Sequence, residues 1–101
     1  MFETLDDITT VCERNFFDEE KIKYEKDIIN IFNGNIPKEV NNDFLLNIIG
    51  LYYEIIEKNY DEMEKYYLKA VEFNNIEAMN GLSFYYKNIK NYKKMKKYYL
   101  M

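Results

Sequence analysis

Residues 59–68 read Asn59-Tyr60-Asp61-Glu62-Met63-Glu64-Lys65-Tyr66-Tyr67-Leu68, and residues 91–100 read Asn91-Tyr92-Lys93-Lys94-Met95-Lys96-Lys97-Tyr98-Tyr99-Leu100. The two stretches differ at three positions, and each difference exchanges an acid for a lysine. Positions that tolerate reversal of charge face solvent, so the unchanged residues carry the fold. Met63 and Tyr67, like Met95 and Tyr99, stand four apart and share one helical face, the core face. Asn59 and Asn91 precede these helices as side-chain caps.

Upstream the register between copies changes from 32 to 33 residues. Ile49-Gly50-Leu51-Tyr52-Tyr53 lies over Leu82-Ser83-Phe84-Tyr85-Tyr86, and Asn41-Asn42 over Asn74-Asn75. Each copy therefore reads as two helices, over 42–56 and 60–73 and then over 75–88 and 91–101. Asn75 caps the third of these with Glu77 in its first turn, and Asn74 is a left-handed C-cap. Gly50 and Ser83 are small because the two helices of each copy cross there. Tyr52, Tyr66, Tyr85 and Tyr98 are expected at contacts between helices, hydroxyls toward water.

No third copy is visible before residue 41. That segment opens on Thr4 and Asp7, a capping-box start. Leu5, Ile8, Cys12 and Phe16 then recur at helical spacing, predicting a helix over 4–16. Asp18 caps a second helix with Tyr24, Ile28, Ile31 and Phe32 on one stripe. It stops at Asn33-Gly34, with Pro37 beyond. The predicted fold is all-α, an α-solenoid of stacked antiparallel helix pairs with about six helices. Its parts are an N-terminal helical cap (1–40), a first helix-turn-helix repeat (41–73) and a second (74–101) whose last helix is short or truncated.

Composition agrees. The chain has 101 residues, 48% hydrophobic and 18% aromatic, with three Gly and one Pro, too few turn residues for an all-β chain. No apolar run approaches a spanning helix, and the start Met1-Phe2-Glu3-Thr4-Leu5-Asp6-Asp7 is acidic where a secretory signal is basic. The one cysteine, Cys12, reads as core, and an intracellular, cytoplasmic location is expected.

Residues that perform chemistry are scarce. There is no His, which removes the commonest general base and most zinc sites. No glycine-rich phosphate loop occurs, and the acid pairs Asp6-Asp7, Glu19-Glu20 and Glu62/Glu64 lie on polar faces or at helix starts. No enzyme activity, cofactor, metal or small-molecule substrate is expected.

The repeat resembles two related families. The tetratricopeptide signature has Leu-Gly with Tyr three residues after the Gly, which Ile49-Gly50 with Tyr53 and Leu82-Ser83 with Tyr86 approach. Met63 and Met95 stand where that signature has a small residue. Tyr66-Tyr67, Lys69-Ala70, Asn75 and Ala78 are similar to the Sel-one-like repeats, although Asn74 replaces the preferred Gly and the loop glycine is lacking. Tyr-Tyr-Leu repeats in an Asn- and Lys-rich chain also resemble those encoded by giant DNA viruses of amoebae, which would place the protein in host cytoplasm.

The resemblance implies a protein–protein interaction scaffold that holds a peptide or partner helix in a concave groove. The groove residues it implies are Phe44, Asn47, Leu51 and Glu54 in one repeat and Glu77, Asn80, Phe84 and Lys87 in the next. The alternative is nucleic-acid or other polyanion binding through Lys93, Lys94, Lys96 and Lys97, with Tyr92, Tyr98 and Tyr99 beside them. The net charge of −4 and the acids at equivalent positions of the first repeat disfavour it. No membrane partner is expected. Self-association is expected at the C-terminal end, where the last helix leaves an apolar edge.

Overall fold

Thr4 opens the first helix, α1 (Leu5–Cys12), in the computed structural model, which describes residues 1–13 and 22–99 apart from the side chain of Tyr99. Its hydroxyl accepts from the Asp7 N–H at 3.2 Å, and the Asp7 carboxylate accepts from the Thr4 N–H at 3.1 Å, closing the capping box. The helix ends sooner than its apolar spacing predicts, because Glu13 turns left-handed with φ 55°. Phe16 and the predicted cap Asp18 lie outside the described residues. Helix α2 (Glu25–Phe32) stops at Asn33-Gly34, where Gly34 takes φ 91°. Asn33 ties the chain start down: its side chain accepts from the Phe2 N–H at 2.7 Å and donates to the Phe2 carbonyl at 2.8 Å.

Four further helices follow, each after an asparagine whose side chain accepts an N–H three residues on. They are α3 (Asp43–Tyr52) after Asn42, α4 (Tyr60–Val71) after Asn59, α5 (Ile76–Asn88) after Asn75, and α6 (Tyr92–Tyr99) after Asn91. Asn74 is left-handed, φ 63°. The protein is all-helical, with six α-helices and no strand among the described residues. No helix there is long and apolar enough to cross a membrane.

The change of register between the copies has a visible cause. After α3 the chain continues as one π turn, Tyr53–Glu57, whereas α5 ends without one. In both loops a left-handed lysine follows, Lys58 at φ 53° and Lys90 at φ 60°. The next N–H then closes on equivalent carbonyls, Asn59 on Tyr53 at 2.9 Å and Asn91 on Tyr86 at 2.7 Å. The extra residue of the first copy is absorbed by the wider turn, and the caps Asn59 and Asn91 keep the same place.

The interior has two apolar clusters. One joins Leu5, Ile8, Cys12, Ile28, Ile31 and Phe32 to Phe44, Ile48, Ile49, Leu51 and Tyr52 of α3. The other joins Leu46 to Met63, Tyr67, Ala70 and Val71 of α4 and to Ala78, Met79, Leu82 and Tyr86 of α5. Tyr67 sits at its centre, with its ring flanked by two glycines. A Cβ at Gly50 would stand 2.4 Å from Cδ1, and one at Gly81 3.1 Å from Cε2. The hydroxyl donates to Glu54 Oε1 at 2.6 Å.

Polar pairs fix how α5 lies on α3 and α4. Asn47 Nδ2 donates to Glu77 Oε2 at 3.1 Å and Asn75 Nδ2 to Asp43 Oδ2 at 2.9 Å, and the Glu64 carboxylate stands near the Tyr86 hydroxyl. Burial, and then this carboxylate, push the Tyr86 hydroxyl well above the usual tyrosine range.

Candidate functional site

The eight groove positions separate into two groups. Phe44, Asn47 and Leu51 are buried, Asn47 and Leu51 at 1% exposure, which revises the expectation that they face a groove. For Phe44 and Leu51 the cause lies in the first forty residues, whereas Asn47 is engaged by Glu77 of α5. Phe44 packs on Tyr24 with ring centroids 5.2 Å apart, and Leu51 joins the cluster built from α1 and α2. The N-terminal helices thus cover the face of α3. Glu54 is half-buried and holds the Tyr67 hydroxyl. In α5, by contrast, Glu77, Asn80, Phe84 and Lys87 are all exposed.

Of the repeat-frame positions, Ile49, Gly50, Met63, Tyr67, Ala70, Ala78, Leu82, Ser83 and Tyr86 are buried. Tyr53 and Met95 are half-buried, and the side chain of Tyr99 lies outside the described residues. Tyr52, expected at a partly wet contact, is buried edge-on against Phe32 at 6.0 Å, again because α2 covers α3. Lys93, Lys94, Lys96 and Lys97 are exposed, with Lys94 over the Tyr86 ring and Lys97 over that of Tyr98.

Phe84 is the ridge between two concave surfaces. On one side a cleft of about 520 Å³ runs between the π turn and α5, lined by Glu54, Ile55, Lys58, Tyr60, Phe84, Tyr85, Asn88 and Ile89. Three large apolar side chains of this cleft stand open to water: Phe84 at 60% exposure, Ile89 at 52% and Tyr60 at 43%. Tyr60 stacks on Tyr85 at 5.5 Å, which fixes both rings. Burial first, then the carboxylates of Glu64 and Asp61, raise the Tyr85 hydroxyl above its ordinary range. On the other side of Phe84 a shallower hollow of about 370 Å³ is lined by Asn80, Ser83, Phe84, Lys87 and Met95.

Sequence reasoning missed Ile55, Tyr60 and Ile89 as cleft residues. A signal for two of them exists: Tyr60 and Ile89 are large apolar residues beside the interhelical turns, away from the buried stripes. The cleft has an apolar floor, fixed aromatic rings and few polar groups, which suits holding an apolar side chain. Among the described residues no group of three or more His, Cys, Asp or Glu is placed to hold a metal ion. Comparison with family models, curated proteins and solved structures gives no match to this chain.

Proposed function

We propose that this chain is a non-catalytic protein-interaction module of the tetratricopeptide or Sel-one-like kind, a short α-solenoid that holds a peptide or partner helix. One observation carries the reading. Phe84, Ile89 and Tyr60, three of the largest exposed apolar side chains, converge on a single cleft. Solvent-facing aromatics gathered in one concavity on a rigid helical frame are the usual form of an interaction hot spot. The site differs from the groove implied by the resemblance, because the N-terminal helices close the first repeat's share of it. The second repeat, the π turn and Tyr60 at the start of α4 supply the binding surface instead. A π turn in an otherwise regular helix pair is frequent at functional sites. The lone, buried Cys12 fits a reducing, intracellular setting, host cytoplasm if the chain is viral.

Selection of a displayed peptide library on the folded chain tests this. Enriched peptides share an apolar anchor residue. Phe84→Ala and Ile89→Ala each weaken them about tenfold with the helical circular-dichroism signal kept. Equal loss from Lys69→Ala, a position outside the cleft lining, would overturn the assignment.

A further inference from the structure

The junction between the two copies shows what a helix looks like when it docks on this fold. In the first copy Asn47 is buried and donates to Glu77, Gly50 backs the ring of Tyr67, and Met63 is fully buried in the cluster it shares with Ala78 and Leu82 of α5. The equivalent residues of the second copy are Asn80, Ser83 and Met95, and all three line the hollow beside Phe84. Asn80 is exposed where Asn47 is buried, and Met95 is half-buried where Met63 is sealed. The hollow thus repeats part of the surface on which α5 lies.

Charge separates the two surfaces. Glu54 and Glu64, which line the internal junction, correspond to Lys87 and Lys96. Glu64 stands near the Tyr86 hydroxyl of the docked helix, whereas a lysine in that place calls for a carboxylate. Lys87, Lys90, Lys93, Lys94, Lys96 and Lys97 bring no acid with them.

We infer that the α5–α6 end docks an acidic amphipathic helix from a partner protein, laid as α5 lies on α3 and α4. Asn80 donates to a glutamate in its first turn. Ser83 and Met95 pack on small apolar residues one and two turns further along. Lys87 and Lys96 pair with carboxylates near its end. This surface lies on the far side of Phe84 from the cleft, and the inference stands without the reading of that cleft.

The probe is a synthetic peptide of residues 74–89 carrying Tyr86→Glu and Lys87→Glu, stapled between the positions of Asn80 and Phe84, which are exposed in the chain. The staple keeps a short helix formed. Titrated into the whole labelled chain, it shifts the magnetic-resonance signals of Asn80, Ser83 and Met95. Lys96→Glu or Asn80→Leu in the chain weakens it about fivefold or more. Ile89→Glu, in the cleft, leaves binding unchanged. All three substituted positions are exposed, so the variants keep the fold. Three results would overturn the inference: no shift at millimolar peptide, shifts confined to Tyr60 and Ile89, or the same signals moving with chain concentration alone. The last would make a second copy the occupant. Loss of cleft binding with end binding kept would sink the proposed function and not this inference.

Discussion

Replacing Gly50 with alanine tests the packing that holds the two copies together. The added Cβ would stand 2.4 Å from Tyr67 Cδ1 and 2.6 Å from Cε1. Carbon atoms rest near 3.5–4.0 Å, so the overlap is about 1 Å. The ring can give by a few tenths of an ångström but not by that much, because its other edge lies against Gly81 and its hydroxyl is anchored on Glu54. Either α3 and α4 separate or Tyr67 leaves its rotamer. Overpacking of this kind costs about 1–3 kcal/mol, and disturbing the hydroxyl bond adds about 1 kcal/mol. Alanine returns about 1 kcal/mol of helix propensity. The net loss expected is about 2 kcal/mol, a fall in melting temperature of about 8–16 °C for a chain of this size. Gly81→Ala is the control. There the nearest contact is 3.1 Å, within what a small shift absorbs, and the propensity gain offsets it to within about 0.5 kcal/mol of the parent. Thermal and urea melts followed by circular dichroism read both. A Gly50→Ala chain as stable as the parent, or a Gly81→Ala chain equally weakened, would refute the reasoning.

Three other outcomes follow from the same geometry. Asn75→Ala removes a cap and the bond to Asp43, and should cost about 2 kcal/mol, against about 1 kcal/mol for Asn59→Ala, which removes a cap only; urea melts of the two variants give the order. Burial, with Glu57 accepting its hydroxyl, raises Tyr52 to about 12, above the unfolded value near 10. The folded chain therefore holds a proton that the unfolded chain has lost, and stability falls as pH rises from about 10 to about 12. Tyr52→Phe flattens that fall, and an ultraviolet titration of the folded parent shows part of its tyrosine absorbance change delayed above pH 10. Phe84→Ser leaves stability within about 0.5 kcal/mol, as expected for a surface position, whereas Leu51→Ser at the equivalent buried position costs about 3 kcal/mol.

Much of the local structure was legible because it rests on short-range chemistry. The asparagines before α4, α5 and α6 cap as their spacing suggests, and the left-handed Asn74 and Gly34 end helices where expected. The shift from 33 to 32 residues signalled an extra residue near 53–59, although periodicity alone does not say that a π turn absorbs it. The candidate site was less legible. Phe44, Asn47 and Leu51 match Glu77, Asn80 and Phe84 by register, yet α1 and α2 cover Phe44 and Leu51, Glu77 of α5 engages Asn47, and the matching residues of α5 stay open. Residues 1–40 carry no copy of the repeat, so nothing in the repeat pattern says which face they cover. Tyr52 went inward for the same reason, drawn against Phe32. Ile89 and Tyr60 were passed over because they lie off the buried stripes, which is also why they stand exposed.

Equivalent positions of the two copies differ, Leu51 closed over by the N-terminal helices and Phe84 open to solvent. Thiol reactivity at register-matched positions tests it most directly. In a Cys12→Ser background, single cysteines are placed at Leu51 and Phe84 and their rates with an aromatic disulfide reagent are compared in the folded chain. The account predicts that Phe84→Cys reacts nearly as fast as in urea, while Leu51→Cys is slowed by two or more orders of magnitude. Equal rates at the two positions would contradict it.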